Sequence, residues 1–133
     1  LQSLRVRELL EAEAASMSVG NVSLTEIEIV RANLQTVQSQ TPYDMISHWH
    51  SDDEVHKLFI SKCGNDTMIN ILNSLRTTTK LFEIEKLSER LEPDSQQHEL
   101  ILDALLKQDA KATKRAVATH IKSLFQFAVR TVG

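Results

Sequence analysis

The chain has 133 residues, 41% of them hydrophobic and 25% charged, with three glycines, two prolines and one cysteine. That is one domain with enough apolar residues for a core, too few turn residues for an all-β fold, and no cysteine pair for an internal disulfide. Formal net charge is -3 with the fifteen Lys and Arg scattered, which argues against direct nucleic-acid binding, and neither a membrane span nor a signal peptide is visible, so a cytoplasmic chain is expected.

Leu4, Leu9, Leu10, Ala14 and Met17 give the stripe of a first helix over residues 1–18, stopped by Gly20 and Asn21. Ser23-Leu24-Thr25-Glu26 has the form of a capping box and opens a second helix, with Ile27, Val30, Leu34 and Val37 on its buried face. Thr41 as N-cap and Pro42 in the first turn start a third helix that runs to Lys62 and stops at Gly64. Asn65 caps a fourth, striped by Met68, Ile71, Leu72 and Leu75 and extended by Leu81 and Ile84. Residues 87–94 read as a loop ending at Pro93. Asp94 or Ser95 then caps a fifth helix to Lys107, and Asp109 caps a sixth to Arg130. The expectation is a single all-α domain over residues 1–133, an antiparallel bundle of about six helices with short connections.

The third helix carries an anomaly. Asp52 and His56, four residues apart, share one helix face, and that face also carries Met45, Trp49, Phe59 and Cys63. A carboxylate on an apolar stripe is costly unless compensated, and a cation is one compensator. Two later histidines fall on apolar stripes of their own: His98 with Ile101, Leu102 and Leu105, and His120 with Val117, Ile121 and Leu124. The turn between the last two helices centres near Gln108 and Asp109, so at ~1.5 Å per residue each histidine lies about 16 Å from it, at one level of an antiparallel pair. Any one of these histidines alone reads as a hydrogen-bonded core residue. Together with Asp52 they read as a divalent metal site of Asp52, His56, His98 and His120, a ligand set that suits zinc, nickel, iron or manganese better than calcium or magnesium. His48 and His50 compete for the role and are expected to be exposed near the start of their helix. Cys63 reads as a small buried residue rather than a redox centre.

Asp52-Asp53-Glu54-Val55-His56, Cys63-Gly64-Asn65, the run His98-Glu99-Leu100-Ile101-Leu102-Asp103-Ala104-Leu105, Asp109 and His120-Ile121, in this order and spacing, resemble the C-terminal effector-binding domain of FadR-type regulators in the GntR transcription-factor family. The opening Arg7-Glu8-Leu9-Leu10-Glu11 with Ala14-Ala15 resembles that domain's first helix. The chain opens on Leu1 rather than Met, as a fragment or processed product would. The resemblance implies an all-helical domain, usually dimeric, with a winged helix-turn-helix DNA-binding domain upstream and absent from this chain. It implies a metal held by the same four residues, with zinc or nickel expected, and a small carboxylate effector binding at or beside it. It also makes Arg7 and Asn65 candidates for effector contact, with Arg76 a third. As plain structure, Arg7 and Arg76 would be solvated arginines and Asn65 an N-cap. Two residues depart from the family's pattern: Gln97 where Glu often precedes the histidine, and Val55 where Phe is frequent.

Two functions follow. One is a sensor, in which a bound acid shifts how a homodimer orients its upstream DNA-binding domains and the chain itself is not an enzyme. The other is a metal-dependent hydrolase, since a three-histidine site with an open position activates water. Against the second stands the lack of a general base beside the ligands, because Asp53 and Glu54 should point away from the ligand face.

Overall fold

A computed structural model describes residues 1–132, and the side chains of 1–80 and 86–131 among them. The expectation for Leu81 and Ile84 therefore lies outside the described residues. The described chain forms helices α1 (Gln2–Ser18), α2 (Leu24–Ser39), α3 (Met45–Ile60) and α4 (Asp66–Glu83), a 3-10 segment (Ile84–Arg90), and helices α5 (Leu91–Leu106) and α6 (Ala110–Val132), with no strand.

Short-range capping fixes most of the helix starts. Ser23 Oγ accepts the Glu26 amide at 3.1 Å and donates to the Glu26 carboxylate at 3.0 Å. Asn65 Oδ1 accepts the Met68 amide at 2.9 Å, and Asp109 Oδ1 accepts the Ala112 amide at 3.0 Å. Each satisfies a first-turn donor that would otherwise be orphaned. Gly20 and Gly64 take positive φ in the links after α1 and α3, a conformation that glycine adopts without Cβ strain.

Two starts differ from the sequence expectation. Helix α3 begins at Met45 rather than at Pro42, because Asp44 is the cap, accepting from Ile46 N at 3.0 Å and Ser47 N at 3.5 Å. Helix α5 begins at Leu91, not after Pro93. Pro93 sits in the first turn, where a missing N–H costs nothing, and Asp94 and Ser95 are buried instead of capping.

The helices pack antiparallel where the contacts define it. Arg5 lies over the Phe125 ring at 3.9 Å while Glu13 pairs with Lys114 at 2.9 Å, so α1 runs against α6. In the same way Asn33 meets Glu54 and Glu26 meets Lys62, setting α2 against α3. The core is continuous, from Leu4 and Ala15 through Ile27, Leu34, Phe59 and Leu72 to Leu102, Ile121 and Leu124. Cys63 is buried within it, as expected.

The buried face of α1 departs from the expected stripe. Leu9 is 71% exposed and Met17 is exposed, whereas Arg7 and Glu11 are buried with Leu4, Ala14 and Ala15. On α3 Met45 is exposed and Trp49 half-buried, while Phe59 lies fully inside. On α4 the inward line is Leu72, Arg76 and Thr79, with Ile71 exposed. Arg7 and Arg76 thus enter the interior from the neighbouring helices α1 and α4, and both head for the same place.

Candidate metal centre

Asp52 and His56 lie one turn apart on α3, and α5 and α6 bring His98 and His120 to meet them. One ligand atom from each of the four falls within 4.8 Å of all the others. Asp52 Oδ1 is 3.3 Å from His56 Nε2 and 3.4 Å from His98 Nε2; His120 Nε2 is 3.3 Å from His56 Nε2 and 3.1 Å from His98 Nε2. Two donors bound ~2.1 Å from a common transition metal stand ~3.0 to 3.4 Å apart. These separations match that spacing.

The tautomers of two rings follow from what lies behind them. Glu11 is fully buried: burial alone would raise its pKa, but the charge of Arg7, then the charge and hydrogen bond of His56, outweigh it and hold the carboxyl well below its ordinary value. A carboxylate only accepts, so His56 Nδ1, 2.6 Å from Glu11 Oε1, must be the donor. His120 Nδ1 stands 2.6 Å from Gln97 Oε1. That oxygen is identified by its neighbours, because Arg90 Nη2 donates to it at 3.2 Å while Gln97 Nε2 donates to Ser123 Oγ at 2.9 Å. In their neutral forms both rings therefore carry the lone pair on Nε2, and the two lone pairs face each other across 3.3 Å. A proton or a metal held between them makes that arrangement favourable, and His98 Nε2, 3.1 Å from His120 Nε2, is the other group that can meet one of the lone pairs.

Charge around the centre agrees. Burial would raise the Asp52 carboxyl, yet His56, Arg76 and His98 together hold it well below the ordinary range. Burial and Arg76 would lower His56, but Asp52 and Glu11 on either side of the ring raise it. His98 is pushed down to about 4 by burial first and by the neighbouring His56 and Arg76, with Asp52 opposing; His120 is pushed well below its ordinary value by burial, His98 and His56. At neutral pH these two are uncharged donors, the form that metal coordination requires.

Arg7 and Arg76, both buried, adjoin the group. Arg7 Nε donates to Glu11 Oε2 at 2.6 Å and Arg7 Nη1 to Thr79 Oγ1 at 2.7 Å, so Arg7 reaches His56 through Glu11. Arg76 Nη2 donates to Asp52 Oδ2 at 3.1 Å and to Asp53 Oδ1 at 2.8 Å, directly beside a candidate ligand. Neither is the solvated arginine that the plain structural alternative would have. Asn65 is exposed and caps α4; no described contact joins it to the four residues.

Sequence reasoning missed a second buried chain. His48 is buried, not exposed as expected, and His50 alone of the pair is exposed. Tyr43 Oη stands 2.6 Å from His48 Nδ1, and His48 Nε2 stands 3.1 Å from Asp94 Oδ2. Arg90 closes on Asp94 with two bonds at 2.7 and 3.1 Å and continues to Gln97 and so to His120. Asp94, an ion-pair acceptor, makes His48 Nε2 the donor and leaves Nδ1 to accept the Tyr43 hydroxyl. Burial, then the charges of Asp94 and Asp44, push that hydroxyl up to about 12, keeping its proton in place. The i, i+4 spacing of Arg7 with Glu11 and of Arg90 with Asp94 was the available sequence signal.

A helical bundle that closes three histidines and an aspartate around one interior point, with arginines at its edge, is built as a ligand-binding domain. The chain belongs to the FCD domain family, whose model matches residues 2–123; FCD domains are the C-terminal effector-binding, ligand-sensing domains of GntR-family transcription regulators. Comparison with curated proteins and with solved structures gives no match.

Proposed function

We propose that this chain is the sensory domain of a homodimeric transcription regulator in which Asp52, His56, His98 and His120 hold one divalent transition metal, zinc or nickel, and a small organic acid binds beside it. The observation that carries this reading is the pair of opposed imidazole lone pairs, fixed from behind by Glu11 and Gln97, at a point where a carboxylate and a third imidazole also converge. The metal would supply a Lewis-acidic anchor for the acid. Arg76, next to Asp52, is the side chain best placed to pair with a ligand carboxylate, and Arg7 acts from behind Glu11. DNA contact belongs to a winged helix-turn-helix domain outside this chain. The acid transmits a signal only if it binds the two dimer arrangements with different affinity.

A hydrolytic role finds less support. Glu11 contacts the Nδ1 side of His56, away from the convergent Nε2 atoms, and so orients a ligand rather than facing a water on the metal. Asp53 is engaged by Arg76 and Lys80, and Glu54 accepts from Asn33.

Thermal shift with a panel of small carboxylates, run on the metal-free and the zinc-loaded chain, tests the reading. An acid that raises the midpoint only in the zinc-loaded protein is expected. Equal shifts without metal, or in Asp52→Ala, would place acid binding elsewhere. Light scattering that finds a strict monomer at high concentration would remove the dimer from the proposal.

A further inference from the structure

Asp53, the neighbour of a proposed ligand, is held like a guest. Its Oδ2 accepts from Lys80 Nζ at 2.6 Å and its Oδ1 from Arg76 Nη2 at 2.8 Å, so both carboxylate oxygens are taken by cations from α4. Two cationic donors on one carboxylate is the way a bound acid is captured. Lys80 is itself steadied by the Trp49 ring, with its nitrogen 5.2 Å from the ring centre.

These groups line an open cleft of about 250 Å³ between α3 and α4, walled by Asp53, Lys57, Asn73, Arg76, Thr77 and Lys80. Three cations face Asp53 in the cleft and Asp52 behind Arg76, which leaves a positive excess. Lys57 is exposed and has no carboxylate partner among the described residues. The volume lies below the ~300 Å³ at which pockets for drug-sized ligands begin, so it has room only for a small molecule.

The cleft also lies on the least sealed side of the metal centre. The Asp52 side chain is 13% exposed, against 0% for His56 and 2% for His98, and Arg76 Nη2 touches Asp52 and Asp53 together. One guanidinium thus joins the cleft to the centre.

Resting on the reading of this domain as a metal-dependent acid sensor, we propose that the α3/α4 cleft is the anion port of the site and that Asp53 fills it as a built-in substitute for a ligand carboxylate. Its natural occupant is a small acid with two or more carboxylates. One carboxylate reaches past Arg76 towards Asp52 and the metal, while another exchanges with Asp53 on Lys80 and Lys57. Asp53, 23% exposed, turns out into water when displaced. A monocarboxylate would reach only the metal and Arg76 and leave Asp53 where it is.

The test is isothermal titration of the zinc-loaded chain with citrate and with acetate, in wild type, Asp53→Asn and Lys57→Glu. Removing the internal competitor should tighten citrate about threefold to tenfold, and reversing the exposed lysine should weaken it about threefold, with acetate unchanged in both. Lys57 is at the surface, so Lys57→Glu reports even if Asp53→Asn disturbs the fold, which circular dichroism would reveal. Citrate affinity unchanged in both variants, or weakened by Asp53→Asn in a folded protein, would overturn the port while zinc-dependent acetate binding left the sensor reading in place. If neither acid binds the zinc-loaded wild type or Asp53→Asn, the port and the acid-sensor reading fall together.

Discussion

The two histidines that face each other across the centre are supported in opposite ways. His56 has a buried carboxylate behind it, Glu11, which is itself paired with Arg7; His120 has the neutral amide of Gln97, held by Arg90 and Ser123. A carboxylate behind an imidazole makes the ring more basic and so a stronger metal donor, whereas an amide fixes its tautomer and direction without adding charge. The α1 side therefore supplies charge to the centre and the α5/α6 side supplies aim. Both leave Nε2 free, but they should fail differently.

The largest effect is expected from Glu11→Gln, which removes the buried carboxylate that Arg7 and His56 share. Denaturant unfolding should show a loss of about 3 to 5 kcal/mol, the usual result of breaking one half of a buried pair, and zinc affinity should fall about 10- to 100-fold. A variant as stable as wild type would mean that the α1 side contributes no charge to the fold. Leu34→Ala provides the contrast. It empties core space on α2 and should cost about 2 to 5 kcal/mol while leaving zinc affinity unchanged. If it moved both quantities, stability and binding could not be separated in this bundle.

Gln97→Ala should weaken zinc about tenfold with a smaller loss of stability, and Gln97→Glu should recover or exceed the wild-type affinity by giving His120 the support His56 already has. Should Gln97→Glu bind zinc no better than Gln97→Ala, the distinction between charge and aim would collapse. The smallest effect is expected from Asp44→Ala, about 1 kcal/mol from the lost α3 cap, with the metal centre untouched. A loss near zero would put the start of α3 elsewhere.

What could be read from the chain alone divides along the same line. The helices and the four convergent residues were legible because capping pairs such as Ser23 with Glu26 and stripes such as Val117, Ile121 and Leu124 are local signals. Level placement of His98 and His120 needed only a short hairpin and a fixed rise per residue. What stayed hidden were buried charges. Arg7 with Glu11 and Arg90 with Asp94 have the spacing of ordinary surface ion pairs, and only tertiary packing turns them inward. Hence Leu9 was expected inside where Glu11 is, and His48 outside although Asp94, 46 positions away, draws it in. Thr41 and Pro42 carry a valid start signal too. The segment bends instead, with Tyr43 reaching His48 and Asp44 capping α3, and nothing within it announces that Asp94 on α5 holds His48 inside.

The central claim is that Asp52, His56, His98 and His120 form a single metal site. It is tested most directly by elemental analysis of the untagged chain beside an Asp52→Ala/His98→Ala double variant. About one equivalent of a transition metal per wild-type chain, lost in the double variant, is the predicted result. No metal in either protein, even after soaking in zinc or nickel, would contradict it and reduce the four residues to a hydrogen-bonded pocket.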